Sequence, residues 1–127
     1  MASRTLAEKL GLKEGMRAYV LDPPSHYNSL ITDAPVIPDQ SPLDEADFVH
    51  LFSDRQDHLL ALLNIALPTL RDKSMLWISW PKKASKKKTN LSRNVILSLG
   101  EVLGMVDVKI CSIDDTWSAL KFVHRKS

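Results

Sequence analysis

The chain has 127 residues, 44% of them apolar and 25% charged, with a formal net charge of +2 and a single cysteine. That length and balance predict one soluble α/β domain over residues 1–127 and exclude a disordered chain or a disulfide scaffold. The longest apolar stretch, Leu59 to Leu67, is interrupted at Asn64 and too short to span a bilayer.

Residues 1–6 hold no hydrophobic run of signal-peptide length, so the expected compartment is the cytoplasm. Thr5 to Leu10 suits a short opening helix, with Leu6 and Leu10 on one face and Gly11 as its stop. Arg17 to Leu21 reads as a compact strand. It ends at Asp22-Pro23-Pro24, because proline has no donor with which to continue a ladder. Residues 25–33 suit a short helix, Ala34 to Pro38 a brief edge strand weakened by two prolines, and Asp39 to Glu45 a polar turn.

Ala46 to Phe52 reads as a mostly buried strand. Ser53 and Gln56 then have capping-box spacing. The helix they open carries Leu59, Leu60, Leu62, Leu63, Ala66 and Leu67, an apolar face wide enough to pack on a sheet. Pro68 interrupts it, and Thr69 to Asp72 form a closing turn. Met75 to Trp80 is another central strand, closed by Pro81. In a strand of period two, Trp77 and Trp80 fall on opposite faces. Asn90 is placed to cap a further helix through Leu91, Val95, Leu99, Val102 and Leu103, stopped at Gly104. Val106–Ile113 and Trp117–Val123 are strands joined by a tight hairpin at Asp114-Asp115-Thr116.

Strands alternating with helices and a closing hairpin predict a reduced Rossmann-like sheet, mainly parallel, with a C-terminal antiparallel β-hairpin. The run Leu67-Pro-Thr-Leu-Arg-Asp-Lys-Ser-Met-Leu-Trp-Ile-Ser79 resembles the helix-to-strand passage of class I methyltransferases, and the hairpin sits where that fold places its reversed pair. Three further segments, Lys9-Leu-Gly-Leu-Lys-Glu-Gly15, Trp77-Ile-Ser-Trp-Pro-Lys82 and Asp115-Thr-Trp-Ser-Ala-Leu-Lys-Phe122, resemble an uncharacterised bacterial family known as a domain of unknown function. The first resemblance implies a methyltransferase-like fold; the second implies no activity.

The four glycines are Gly11, Gly15, Gly100 and Gly104, so none falls between residues 16 and 99. Nucleotide-binding relatives of such a fold carry a glycine turn there, where backbone approaches a phosphate without an intervening Cβ. No cofactor is therefore expected. Ligands of a parallel sheet bind outside the carboxyl ends of its strands. Four turns are predicted to reach that rim: Asp22–Tyr27, Phe52–Arg55, Pro81–Thr89 and Asp114–Trp117.

The third turn holds Lys82, Lys83, Lys86, Lys87 and Lys88. Without those five the balance is twelve basic against fifteen acidic residues, a net −3, so the positive excess sits in one loop. Acidic residues gather instead at Asp33, Asp39, Asp44, Glu45, Asp47, Asp54 and Asp57, opposed by Arg55. The lysine loop, with Asp115 and Trp117 beside it, is the expected site for an anionic small molecule or an acidic protein partner. Lys82 is expected to pair with Asp114 or Asp115. Nucleic acid is a further candidate ligand, although no aromatic residue interleaves with the lysines. The acidic zone of one copy could equally dock the basic loop of another.

A candidate pocket lies in the first strand-end turn, where Asp22, Ser25, His26 and Tyr27 offer an acid, a hydroxyl, an imidazole and a phenol for acid–base work. His50 reads as a core histidine and His58 as a surface partner of Asp54 or Asp57. The histidines and Cys111 show no metal-ligand spacing. From residues alone, the leading expectation is a non-enzymatic binding or interaction module with a basic rim; the alternative is a degenerate or remodelled methyltransferase-like enzyme.

Overall fold

The computed structural model describes residues 5–40 and 44–124; residues 1–4, the middle of the polar turn (41–43) and the tail 125–127 lie outside the described residues. Five strands form one sheet in the order β1-β2-β3-β5-β4, with β1 at Ala18–Leu21, β2 at Ala46–Phe52, β3 at Leu70–Pro81, β4 at Met105–Ser112 and β5 at Trp117–His124. The first three strands are parallel, and β5 returns antiparallel to β3 with β4 on its outer side. This is the mixed sheet that the alternating pattern predicts. Among the described residues, no helix is long and apolar enough to cross a membrane.

The helices are α1 (Leu6–Leu10), α2 (Tyr27–Leu30), α3 (Gln56–Ala66) and α4 (Arg93–Val102). Side chains alternate across each strand, so the sheet builds two cores. On the α3/α4 side, Val49, Leu51, Leu76, Ile78, Trp80, Leu120 and Phe122 meet Leu59, Leu62 and Ile96. On the α1/α2 side, Ala18, Val20, Phe48, Phe52, Trp77 and Ala119 meet Ala7, Leu10, Tyr27 and Ile31. Trp77 and Trp80 thus divide between the faces as expected, and Trp77 Nε1 donates to Leu10 O at 2.8 Å, tying α1 to the sheet.

Several local expectations need correction. Ala34–Pro38 forms no strand; only Asp39 bridges Tyr19, because the two prolines leave too few donors for a ladder. β3 begins at Leu70, where a closing turn was expected through Asp72, since its charged start (Arg71, Asp72, Lys73) is exposed and breaks the apolar pattern. The capping box is at Thr5 and Glu8, not at Ser53 and Gln56. α4 is capped by Ser92, whose Oγ accepts from Val95 N, and Asn90 instead serves α3. Val102, expected on the packed face of α4, is 82% exposed. Gly100 does make a close packing contact: a Cβ there would stand 2.2 Å from Phe122 Cε1.

Candidate functional site at the carboxyl rim

Parallel strands end together, so the turns that follow them are neighbours. The register Leu21↔Leu51 and Leu51↔Ile78 brings the ends of β1, β2 and β3 to one rim. The hairpin turn joins them through Lys82 N, which donates to Thr116 O at 2.7 Å. All four turns expected at the rim are there.

The β1 turn opens on Asp22, a non-glycine residue in the left-handed region at φ 51°. Aspartate tolerates that conformation better than most residues. Its carboxylate reaches α3, where His58 Nε2 donates to Asp22 Oδ2 at 2.6 Å. The expectation that the His58 side chain pairs with Asp54 or Asp57 is therefore wrong; Asp57 Oδ1 accepts the His58 backbone amide instead. Behind the imidazole, His58 Nδ1 lies 2.8 Å from Ser53 Oγ, which is itself 2.9 Å from Arg55 O.

Four residues on, His26 makes the converse arrangement. Its Nε2 donates to Asp114 Oδ2 at 2.8 Å, and Asp114 Oδ1 accepts from Thr116 N and Trp117 N, both at 2.8 Å. Burial pushes the Asp114 carboxyl up, but the bonds from His26, Trp117 N and Thr116 N outweigh it and hold the group below the usual carboxylate range. Here the imidazole is the outer member, 49% exposed against 19% for Asp114. In the first pair the carboxylate is the outer member, 59% exposed against 28% for His58. His26 Nδ1 has no partner among the described residues.

Tyr27 anchors the same turn from below. Its hydroxyl lies 3.1 Å from His50 Nδ1, and His50 Nε2 lies 2.6 Å from Ser79 Oγ. Burial lowers the His50 pKa to about 3 and pushes the Tyr27 phenol far above its usual range. A neutral imidazole therefore accepts from Tyr27 and donates to Ser79. His50 is the core histidine the sequence implies. Tyr27 also packs edge-on against Phe52, which makes a second edge-on contact with Trp117 at 5.2 Å.

The candidate residues divide accordingly. Asp22, His26 and Tyr27 are brought into bonded networks, whereas Ser25 is exposed and bonds nothing among the described residues. The five lysines do not act as one patch. Lys82 Nζ donates to Ser112 Oγ at 2.6 Å rather than pairing with Asp114 or Asp115, because Asp114 is already held by His26. Lys83 starts a 3-10 turn, Lys86 is left-handed at φ 60°, and Lys87 stands 3.8 Å from Asp54. Asp115 is exposed on the hairpin turn. Lys87 and Lys88 line a recess with Arg55 and Asn90.

The Phe52–Arg55 turn was expected at the rim, but no role was assigned there to Ser53 or Arg55; His58 and Asn90 are the rim residues that sequence reading placed elsewhere. The signal lay in pairing: once β1 is placed beside β2, Asp22 must fall next to the turn that opens α3.

No family model matches the chain, and no curated protein does. Solved structures match its fold. LepI in complex with S-adenosylmethionine (SAM) superposes with a TM-score of 0.56 at 17% identity, covering 94% of this chain and 39% of that one. The ribosomal protein L11 methylase of Lactobacillus delbrueckii subsp. bulgaricus gives 0.55 at 10% identity, covering 94% and 75%. DhpI in complex with S-adenosylhomocysteine (SAH) gives 0.53 at 11%, covering 87% and 67%. The chain thus spans about two fifths of the length of LepI. These likenesses correct the expectation of a non-enzymatic binding or interaction module: the fold is shared with SAM- and SAH-bound proteins and with a methylase. The chain has a methyltransferase-like fold, a five-stranded mixed sheet with its reversed pair at the C-terminal end.

Proposed function

We propose that this protein is an enzyme on a remodelled methyltransferase-like scaffold, performing general acid–base chemistry on a small molecule held at the carboxyl rim. One observation carries the reading. The single turn Asp22–Tyr27 presents an outward carboxylate and an outward imidazole, each backed by its chemical complement, His58 behind Asp22 and Asp114 behind His26. A carboxylate behind an imidazole fixes its tautomer and orientation, leaving Nδ1 of His26 to take or give a proton. Asp22 is the second proton-handling group. Its Oδ2 is committed to His58, so the rest of the carboxylate faces substrate. Positioned acid–base groups of this kind contribute rate factors of about 10²–10⁴.

The fold raises SAM as a ligand, and the residues at the first turn do not fit one held on backbone amides. Asp22 places a Cβ where a glycine turn has none, and Pro23 and Pro24 carry no N–H. Methyl transfer is the second reading, favoured by the SAM and SAH complexes among the fold's neighbours. Thermal shift separates the two: a ligand at a hundredfold excess over its dissociation constant adds about 2.7 kcal/mol of stability. SAM and SAH are expected to leave the melting temperature unchanged, and a clear upward shift with either establishes the second reading. The acid–base reading itself is tested by turnover of a small-molecule panel. Asp22→Asn and His26→Gln should each lower the rate by about 100-fold or more while their melting curves show them still folded.

A further inference from the structure

The β2–α3 turn that supplies Ser53 to the Asp22–His58 pair has a second side. Asp54 and Arg55 line a cavity of about 680 Å³ whose far wall is Lys87, Lys88, Thr89 and Asn90. The lysine loop is held in place to form that wall. Ser85 Oγ donates to Lys82 O at 2.6 Å and accepts from Lys87 N at 3.2 Å, and the left-handed Lys86 turns the chain back toward α3. Two bonds then stitch the loop to α3: Gln56 N donates to Asn90 Oδ1 at 2.8 Å, and Gln56 Nε2 donates to Asn90 O at 3.1 Å.

Three cations and one carboxylate face this recess. The acidic groups nearby hold them loosely, Lys87 at 3.8 Å from Asp54 and Arg55 Nε at 3.5 Å from Asp57, all with substantial exposure. Exposed pairs of that length are weak and screened by salt. Lys88 has no acidic partner among the described residues. An arriving anion therefore displaces little. No aromatic side chain lines the recess, so it offers no platform for stacked bases.

We infer that the Asp54–Asn90 recess binds the phosphate, or an equivalent multiply charged anionic group, of the small molecule on which the rim acts. Arg55, Lys87 and Lys88 are the cations, and the substrate class is a phosphorylated or polyanionic compound. The inference rests on the acid–base reading of the adjoining pair, because the shared turn puts the anion beside Ser53 and His58. Lys83 and Lys86 lie in the same loop but outside the lining, which separates the recess from the general field of the loop.

The test is calorimetric titration of the full chain with inorganic pyrophosphate at about 0.15 M ionic strength, where the Debye length is about 8 Å. Wild type should bind, and the double variant Lys87→Ala/Lys88→Ala should bind at least about tenfold more weakly. The charge-matched Lys83→Ala/Lys86→Ala should weaken binding by no more than about twofold, because these two lysines lie outside the lining and act only through a screened field. Binding is read without turnover, so a failed catalytic reading leaves this result standing and the two failures are told apart. The recess is overturned if wild type does not bind, or if both double variants weaken equally. It is also overturned if a short single-stranded RNA binds more tightly than pyrophosphate and needs Lys83 and Lys86.

Discussion

Gly100 shows how one missing methyl group can place an element. It sits inside α4 with Phe122 of β5 against its Cα, and an added Cβ would come within 2.2 Å of the ring. Glycine is a poor helix residue, about 1 kcal/mol worse than alanine, so its presence there reflects the close approach of α4 to the sheet. Gly100→Ala should lower stability by about 1–3 kcal/mol in urea titration, the cost of overpacking outweighing the gain in helix propensity. His50 makes the opposite kind of contribution. Its folded-state pKa is lowered from 6.5 to about 3, so the unfolded chain binds a proton more readily than the native one. The stability this group confers is complete above pH 6.5 and is lost as the pH falls toward 3, a loss of order 5 kcal/mol. In His50→Leu the acid slope over that window should flatten. At neutral pH the variant should still be less stable by about 2 kcal/mol or more, because Tyr27 and Ser79 each lose a partner in the core.

At the scale of elements, the turns matter more than the helices they precede. Asp22–Tyr27 is held at both ends by side chains from other segments and at its base by Tyr27. Asp114→Asn keeps acceptors for Thr116 N and Trp117 N but removes the charge facing His26. The native Asp114 carboxyl lies below its unfolded value, so its contribution is present at neutral pH and lost in acid. The gap in melting temperature between Asp114→Asn and wild type should therefore narrow as the pH drops through the carboxylate range. Asn90→Ala should cost about 1 kcal/mol by freeing the first amide of α3, and Ser92→Ala a similar amount at α4. Denaturant midpoints measure both.

The elements were legible where local chemistry decides them: the proline stop after β1, the hairpin at Asp114, and the apolar face of α3 except Leu60, which is 50% exposed. The choice of Ser92 over Asn90 as cap was not, because Asn90 is drawn off by Gln56 from a segment far away in sequence. His58 went to the wrong partner for the same reason. Asp54 and Asp57 are its neighbours in the chain, but β1 pairing with β2 brings Asp22 closer in space.

For the whole molecule, the outcome is a methyltransferase-like sheet whose rim is built from side chains in place of a glycine turn. The charge asymmetry visible in the composition resolves into two places. Glu45 and Asp47 are engaged at the amino ends of the strands, by Arg71 and by the Arg17 amide, while Arg55, Lys87 and Lys88 stand at the carboxyl rim with Asp54 and Asp57 of the acidic zone beside them. The central claim is that His26 and Asp22 handle protons at that rim. The most direct measurement follows, by NMR, the compounds of a small-molecule metabolite extract incubated with wild type, Asp22→Asn and His26→Gln, all confirmed folded by their melting curves. Wild type is expected to convert at least one compound, and both variants to slow that conversion by about 100-fold or more. Unchanged extract with wild type, or conversion at full rate by either variant, contradicts that role.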